Sequence, residues 1–573
     1  AGAGAGPAAA AAGAPYSPRF EEVAGKAGLG FRMNFLRPEQ GENFKINLYD
    51  HGCGLAVADV DGDGLDDVYL LNQLGSNGMF RNRGDGTFED VTAATGTGLE
   101  SVICVAAAFG DVDGDRDPDL YVTTVRGGNF LLLNDGKGIF RDGTRAAGLT
   151  LVVESMSPCF FDADGDGDLD LLVTNTARWT LQDFDEGLSY FRGKANLAQL
   201  LESEHHRDVF YRNDGKGVFT DATEEAGLAG KGWGGDAAIL DLEDDGDLDV
   251  FVCNMFGASS LYANDGKGRF TEVTREVLGR TSWGAMGARV LDHDGDGLLD
   301  LLVADMHSDM WAPYQFDGVG IEEGARYPTV LARAVELGLA TPEEDRAFTR
   351  EAGIREEEVI FGSTLYRNLG GGRFEECAQR AGFETYWPWG IVEGDYDGDG
   401  SLDVFIPSGM RNRGNGVFDD VCGPAGLFPP PGGTHSETAF RGKRAARSSR
   451  SGATLDFDGD GRLDIVVNNF NDRAWLWRNV SPERPWCRVR LVETRGRRDA
   501  IGAVVRLTAG GRTQTRLVQS AGGYLAQSSS TLHFGLGGAT AVEKVEVRWP
   551  GGNLQTVTDV KAGVVNTITE PPE

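Results

Sequence analysis

One acidic nonapeptide recurs seven times along the chain, two strand motifs keep step with it, and the pattern changes after residue 479. Together these predict an all-β protein: a seven-bladed β-propeller with calcium-binding hairpin loops, followed by a small C-terminal β domain. The length of 573 residues agrees, since a single core stops growing near roughly 250 to 300 residues. Glycine, at 83 residues, is about twice as frequent as the usual ~7%, which implies many turns. A formal charge of −34 repels phosphate backbones and anionic surfaces, so nucleic acid is not an expected partner. The longest apolar stretches, such as Val102 to Phe109, fall far short of the roughly 18 residues of a membrane span. Seven widely spaced cysteines without a C-x-x-C pair indicate neither a zinc cage nor a disulfide framework.

Residues 1–16, almost entirely Ala, Gly and Pro, predict a flexible lead-in. The propeller is expected over 17–479. Its acidic loops place carboxylates at positions 1, 3, 5 and 9, with glycine at 6 and a backbone carbonyl available at 7. In chain order they contain Asp59, Asp61, Asp63, Leu65 and Asp67; Asp111, Asp113, Asp115, Asp117 and Asp119; Asp162, Asp164, Asp166, Asp168 and Asp170; Asp241, Glu243, Asp245, Asp247 and Asp249; Asp292, Asp294, Asp296, Leu298 and Asp300; Asp395, Asp397, Asp399, Ser401 and Asp403; and Asp456, Asp458, Asp460, Arg462 and Asp464. Small and apolar residues precede each copy and a β-type run follows, as in Leu55–Ala58 and Val68–Leu71, so each loop joins two strands of a hairpin.

A strand ending in Asn before a Gly-rich turn follows each loop, at Asn82, Asn134, Asn213, Asn264, Asn368, a degenerate Met410-Arg-Asn412, and Asn479. Next comes F-x-x-V-T-x-x-A-G-L or a relative, starting at Phe20, Phe88, Phe140, Phe219, Phe270, Phe374 and Phe418. The two series are out of phase: the first F-x-x-V stands before any acidic loop and the last loop has none after it. A ring removes the mismatch if Phe20 to Leu29 completes the unit that ends at Asn479. Loop starts lie 52, 51, 79, 51, 103 and 61 residues apart, which places insertions near 174–207, 304–362 and 423–452. The second insertion carries a helix start in Thr341-Pro342-Glu343-Glu344. The third holds a basic run from Arg441 to Arg450.

Residues 480–573 alternate as strands (Arg488–Val492, Val504–Thr508, Val545–Trp549), with turns expected at Gly510-Gly511, Gly522-Gly523 and Gly551-Gly552. This part carries 12 basic and 8 acidic residues, a net +4, against −38 for the remainder, so the two should attract each other.

Four carboxylates in one nine-residue register, repeated seven times, build hard oxygen cages. Calcium takes about 6 to 8 oxygen ligands in flexible geometry, whereas magnesium keeps its waters and zinc prefers nitrogen and sulfur. Without a cation, such packing costs several kcal/mol in repulsion. Up to seven structural Ca²⁺ are therefore expected. Extracellular calcium modules commonly bind at about 10⁻⁴ to 10⁻³ M, which points to a secreted, periplasmic or cell-surface protein.

The D-x-D-G-D-G-x-x-D loops, set between F-x-D-V-T-x-x-A-G-L and L-Y-R-N-x-G-x-G-x-F strands, resemble FG-GAP/VCBS repeats, the blades of integrin-α-type propellers. The tail resembles the ASPIC/UnbV domain in Arg498–Ala503, Gly522–Gln527, Leu532–Gly537 and Val545–Gly551. In combination the chain resembles the cartilage-acidic-protein-1-like family, which implies a secreted or surface-exposed calcium-binding protein. Some bacterial relatives accompany enediyne natural-product pathways. Glu243 and the Met410 strand depart from the pattern and should weaken the fourth site and the sixth blade.

Two further groups have chemistry of their own. Asp305-Met306-His307-Ser308-Asp309-Met310-Trp311 offers His307 with Met306 or Met310 to a soft metal, or His307 with Asp309 for acid–base work; a packed loop with a hydrogen-bonded histidine is the plainer reading. His205-His206 and Asp50-His51 have no metal spacing. Trp233, Trp283, Trp387 and Trp389, beside glycines, are read as packing between blades, with sugar stacking as the alternative. The expected function is an interaction module for a protein or glycan ligand; the alternative is an enzyme (lyase, hydrolase or natural-product tailoring) with a site near His307.

Overall fold

A computed structural model describes residues 18–34, 52–125, 127–176, 207–230, 233–306, 335–336, 338, 341–351, 354–383, 388–407, 449–494 and 500–572. His307, Asp309, Met310, Trp311, His205, His206, Asp50, His51, Trp387, Met410 and the basic run from Arg441 to Arg447 lie outside them.

Each acidic loop is the turn of an antiparallel hairpin, and the registers agree. The residue before position 1 always faces position 9: Ala58 faces Asp67, Gly110 Asp119, Phe161 Asp170, Leu240 Asp249, Leu291 Asp300, Gly394 Asp403 and Leu455 Asp464. In six cases a third strand ending in Asn and a short fourth strand beginning with Phe extend the hairpin to a four-stranded meander; the hairpin of Val392–Gly394 and Asp403–Phe405 has two strands among the described residues. The fourth strand of the last meander comes from the N-terminal end: Phe20–Glu22 pairs with Trp475–Asn479, Phe20 opposite Asn479. First strands such as Ile103–Gly110 and Gly234–Leu240 are buried throughout, because neighbouring sheets cover both faces. This is a β-propeller fold.

The V-T-x-x-A-G segment expected to continue the fourth strand folds as one helical turn instead: Thr92–Thr95, Thr223–Ala226 and Ala378–Ala381 each stop at a left-handed glycine, Gly96, Gly227 or Gly382. In the second insertion Thr341 and Glu344 exchange capping bonds, Glu344 N–H to Thr341 Oγ1 and Thr341 N–H to Glu344 Oε2, and open a helix over Pro342–Glu351. Strands extend into the expected insertion bounds at Thr174-Asn175, Ala304-Asp305, Val359-Ile360 and Ser449–Gly452.

The C-terminal part has two sheets. One is three-stranded, with Trp486–Val492 between Leu532–Gly535 and Val565–Thr569; the other orders Arg512–Leu517, Val504–Ala509, Lys544–Arg548 and Leu554–Val557. Gly522-Gly523 is not the hairpin turn that its sequence suggests. There the chain leaves the C-terminal sheets and runs along the centre of the propeller, bonding at or beside the first strand of every acidic hairpin. Leu55 N–H donates to Leu525 O, Gln527 clasps Phe109 through both N–H and C=O, and Ser520 Oγ does the same to Phe160. Tyr524 N–H meets the Asp236 carboxylate, Gly523 bridges Ala288 O and Ile391 N–H, and Ser528 and Ser529 bond Thr454. A channel closed by backbone pairing needs glycine where chains approach most closely. A Cβ on Gly523, at φ +78°, would lie 2.1 Å from Ile391 O.

Gly523→Ala should therefore destabilise the protein by on the order of 2–5 kcal/mol, a left-handed penalty plus overpacking. Gly538→Ala, whose Cβ meets nothing within 4 Å, should leave the calorimetric melt unchanged.

Candidate metal centres

All seven loops share one internal bonding scheme. The N–H of position 6 donates to Oδ2 of position 1, at 2.8 to 3.1 Å. The N–H of position 7 donates to Oδ1 of position 5, an Asx turn at 2.7 to 3.2 Å. Positions 4 and 6 have positive φ in every copy, which explains their glycines. Two exceptions accept the strain: Arg116 at position 6 of loop 2 (φ +77°), where the sequence pattern expects glycine, and Asp244 at position 4 of loop 4 (φ +62°).

Position 9 is a pin between strands. Its Oδ2 accepts the N–H of position 2, and in the six four-stranded meanders its Oδ1 accepts the N–H of the third-strand asparagine, as in Val60 and Asn82 on Asp67 or Phe457 and Asn479 on Asp464. The same asparagines reach the sheet before: Nδ2 of Asn82, Asn134, Asn213, Asn264 and Asn479 donates to the position-2 carbonyl of the preceding loop.

Positions 1, 3 and 5 of loops 1, 2, 3 and 5 bring one carboxylate oxygen each within 4.8 Å of one another. Oδ1 of Asp61, Asp113, Asp164, Asp247 and Asp456 is buried with no hydrogen-bond partner among the described residues. Buried oxygens without donors, aimed into clusters of carboxylates, fit a hard cation, and the donor set is oxygen throughout. Side chains of positions 1, 3, 5 and 9 and the carbonyl of position 7 would hold it. The charge such an ion supplies neutralises carboxylates that the fold buries together. Without one, burial foremost and neighbouring carboxylates in addition push Asp67, Asp119, Asp249 and Asp403 up to about 8, and Asp111, Asp170 and Asp395 up to about 7.

Two sets of arginines, not anticipated as part of the loops, face them. The arginine before the third-strand asparagine pairs with position 3: Arg81 with Asp61 (3.0 Å), Arg212 with Asp164, Arg367 with Asp294 (2.6 Å) and Arg478 with Asp458 (2.6 Å). The second set comes from the C-terminal sheets and meets position 1. Arg488 lies 3.0 Å from Asp456, Arg490 lies 3.5 Å from Asp59, and Arg548 pairs with Asp241. His533 adds a neutral contact, its Nε2 2.9 Å from Gly461 O, with burial driving its pKa down to about 3. The period-two spacing of Arg488 and Arg490 on one strand is the signal that locates this face.

Of the other sequence candidates, Met306 is buried in an apolar cluster and the Asp305 carboxylate accepts the N–H of Gly284 and of Gly362. Trp233, Trp283 and Trp389 are buried and pack edge-on or tilted against Phe256, Phe361 and Tyr524, so their rings face other side chains.

Residues 493–573 match the family model described as ASPIC and UnbV, and residues 59–122, 111–173, 241–303 and 359–406 match the FG-GAP-like repeat. Cartilage acidic protein 1 of Xenopus tropicalis is 26% identical over 332 residues, 54% of this chain and 48% of that protein, so the chain spans about half the length of that relative. Cartilage acidic protein 1 of Mus musculus is 22% identical over 546 residues, 90% of this chain and 73% of that protein. Among solved structures, the BP39L lectin from Burkholderia pseudomallei aligns with a TM-score of 0.38 and 10% identity, over 76% of this chain and 97% of that one.

The raised carboxyl pKa values set a sign for stability. An acid whose folded pKa lies above its unfolded value of about 4 stabilises the fold when protonated, and that contribution is lost as pH rises through 7 to 8. Chelator-treated protein should therefore melt at a lower temperature at about pH 8.5 than at about pH 6, and added calcium should remove most of the difference.

Proposed function

We propose that the seven hairpins are the blades of one closed ring, rigidified by calcium in the acidic loops, and that the protein is an exported interaction module for a protein or glycan. The observation that carries this reading is the filled centre. Segment 519–529 bonds at every first strand, so the axis that many propellers use as a pocket is occupied by the chain itself. The C-terminal sheets lie over the acidic-loop end. The opposite end, where second strands turn into third strands, is where the insertions after Asn175 and Asp305 leave the sheets, and insertions on a rigid scaffold are where recognition concentrates.

That end also has a depression of about 280 Å³, lined by Phe31, Arg32, Asn34, Ser76, Phe80 and Asp90 among others. Aromatic edges beside amide, guanidinium and carboxylate groups suit a polar ligand of about the size of one or two sugar rings or a peptide turn. The residue range 17–479 for the propeller and 480–573 for the appended domain follows from the same reading, with the reservation that residues 519–529 of the second belong physically inside the first.

Calcium in each loop should add on the order of 1–3 kcal/mol when free calcium exceeds its dissociation constant by about 10- to 100-fold. EGTA should thus lower the melting temperature by many degrees and calcium restore it; a melt indifferent to both rejects the structural ion. For recognition, an array of glycans and peptides probed with the calcium-loaded chain should show ligands whose binding Arg32→Ala weakens at least about tenfold.

A further inference from the structure

The strands that lead into loops 5, 6 and 7 depart from their sisters where they approach the C-terminal sheets. Three residues before the acidic loop stands Arg289 in the fifth repeat, against Ala56, Ala108, Cys159, Ala238, Val392 and Ala453 elsewhere. Two residues before it stand Glu393 and Thr454 in the sixth and seventh, against Val57, Phe109, Phe160, Ile239 and Val290. Packing does not ask for these polar side chains, since the sister strands fold with small or apolar residues at the same places.

The three exceptions converge on a chamber of about 50 Å³ between the propeller and the C-terminal sheets, lined from the other side by Arg516, Gln519, Ser528, Ser529, Thr531 and His533. Arg289 and Glu393 pair at 2.5 Å, so the cation left over is Arg516. Its partners are neutral: Thr515 O, Gln514 Oε1 and, at 5.2 Å, the ring of Phe534, which leaves guanidinium N–H donors to spare. Arg484, Arg488, Arg490, Arg506 and Arg548 of the same domain each pair with a propeller carboxylate. Arg516 forms no ion pair among the described residues. The carboxylates that attract it from farther off are engaged, Asp292 and Asp395 by N–H groups of their own loops and Glu393 by Arg289. Burial pushes the Arg516 guanidinium below its ordinary value, as it does for a cation taken out of water.

The rest of the wall is rich in donors. Ser528 Oγ accepts the N–H of Thr454, Ser529 Oγ that of Thr531, and Thr531 Oγ1 the Nε–H of Arg490, so each hydroxyl hydrogen is left to donate. Two buried acceptors lack donors among the described residues: Nδ1 of His533, whose Nε2 faces Gly461 O, and Oε1 of Gln519, whose Nε2 donates to Val290 O. A chamber of this volume has room for more than one water-sized group.

We propose that the chamber binds a monovalent anion of chloride's size on Arg516, with water beside it donating to His533 Nδ1 and Gln519 Oε1. One uncompensated guanidinium calls for one negative charge, and charge-assisted N–H and O–H donors suit it. The ion joins the propeller to its appended domain, and it is independent of any ligand held at the opposite end.

The calcium-loaded full chain is melted at one ionic strength in sodium chloride, sodium bromide and sodium isethionate, the last an anion too bulky for the chamber. Chloride and bromide should raise the melting temperature by at least about 2 °C over isethionate, and Arg516→Met should erase that difference. Crystals grown in bromide should show an anomalous peak beside the Arg516 guanidinium, a reading that needs only the wild-type chain. Equal melts in all three salts, a rise that persists in Arg516→Met, or a bromide map with an empty chamber overturns the assignment.

Discussion

Every four-stranded meander of this propeller depends on one buried aspartate that accepts two backbone N–H groups. Position 9 of the acidic loop binds the start of its own loop and the end of the third strand, so a single carboxylate ties three strands together at one end of the sheet. The asparagine on that third strand then donates to the preceding loop and ties sheet to sheet. Charge-assisted bonds of this kind are stronger than neutral ones, but they carry buried negative charge. The arginines that face the acidic end answer that charge, and burial, more than the neighbouring carboxylates, raises the carboxyl pKa values there.

The response uses different oxygens of the same side chain. Where the C-terminal arginines meet position 1 in loops 1, 4 and 7, they approach Oδ2, which also accepts the N–H of position 6. The buried Oδ1 of Asp456 points elsewhere, without a hydrogen-bond partner among the described residues. An ion held by Oδ1 of Asp456 would therefore not compete with Arg488 for one lone pair. The exposed pairs of the third-strand arginines matter less, because solvent screens them and each is worth about 0–1 kcal/mol.

Much of the fold was legible because its local rules are strict. Asp and Gly at fixed offsets specify the loop, period-two runs specify the hairpins, and the phase mismatch between Phe20 and Asn479 specifies a pairing that the structure shows residue for residue. What the pattern hid was long-range. Gly522-Gly523 reads as a turn because paired glycines usually make one, yet here both serve close approach, Gly522 to Ala288 O and Gly523 to Ile391 O, each at positive φ. The partners lie more than 130 residues away, and no local window contains them. Likewise the V-T-x-x-A-G segment has a β-branched start that argues for strand, but a glycine in the left-handed region after it closes a helical turn.

The filled channel changes what the acidic loops have to do. Without segment 519–529, closure would rest on the pairing of Phe20–Glu22 with Trp475–Asn479 and the backbone bonds beside it, such as Ala474 N–H to Phe31 O. Here segment 519–529 bonds at or beside the first strand of every hairpin, so opening the seam also requires breaking bonds to Phe109, Phe160, Asp236, Ala288, Ile391 and Thr454. The C-terminal sheets in turn are held at the loop end by Arg488, Arg490 and Arg548. Loop charge, domain docking and ring closure are therefore linked in series: the carboxylates position the arginines, the arginines position the sheets, and the sheets hold the segment that closes the axis.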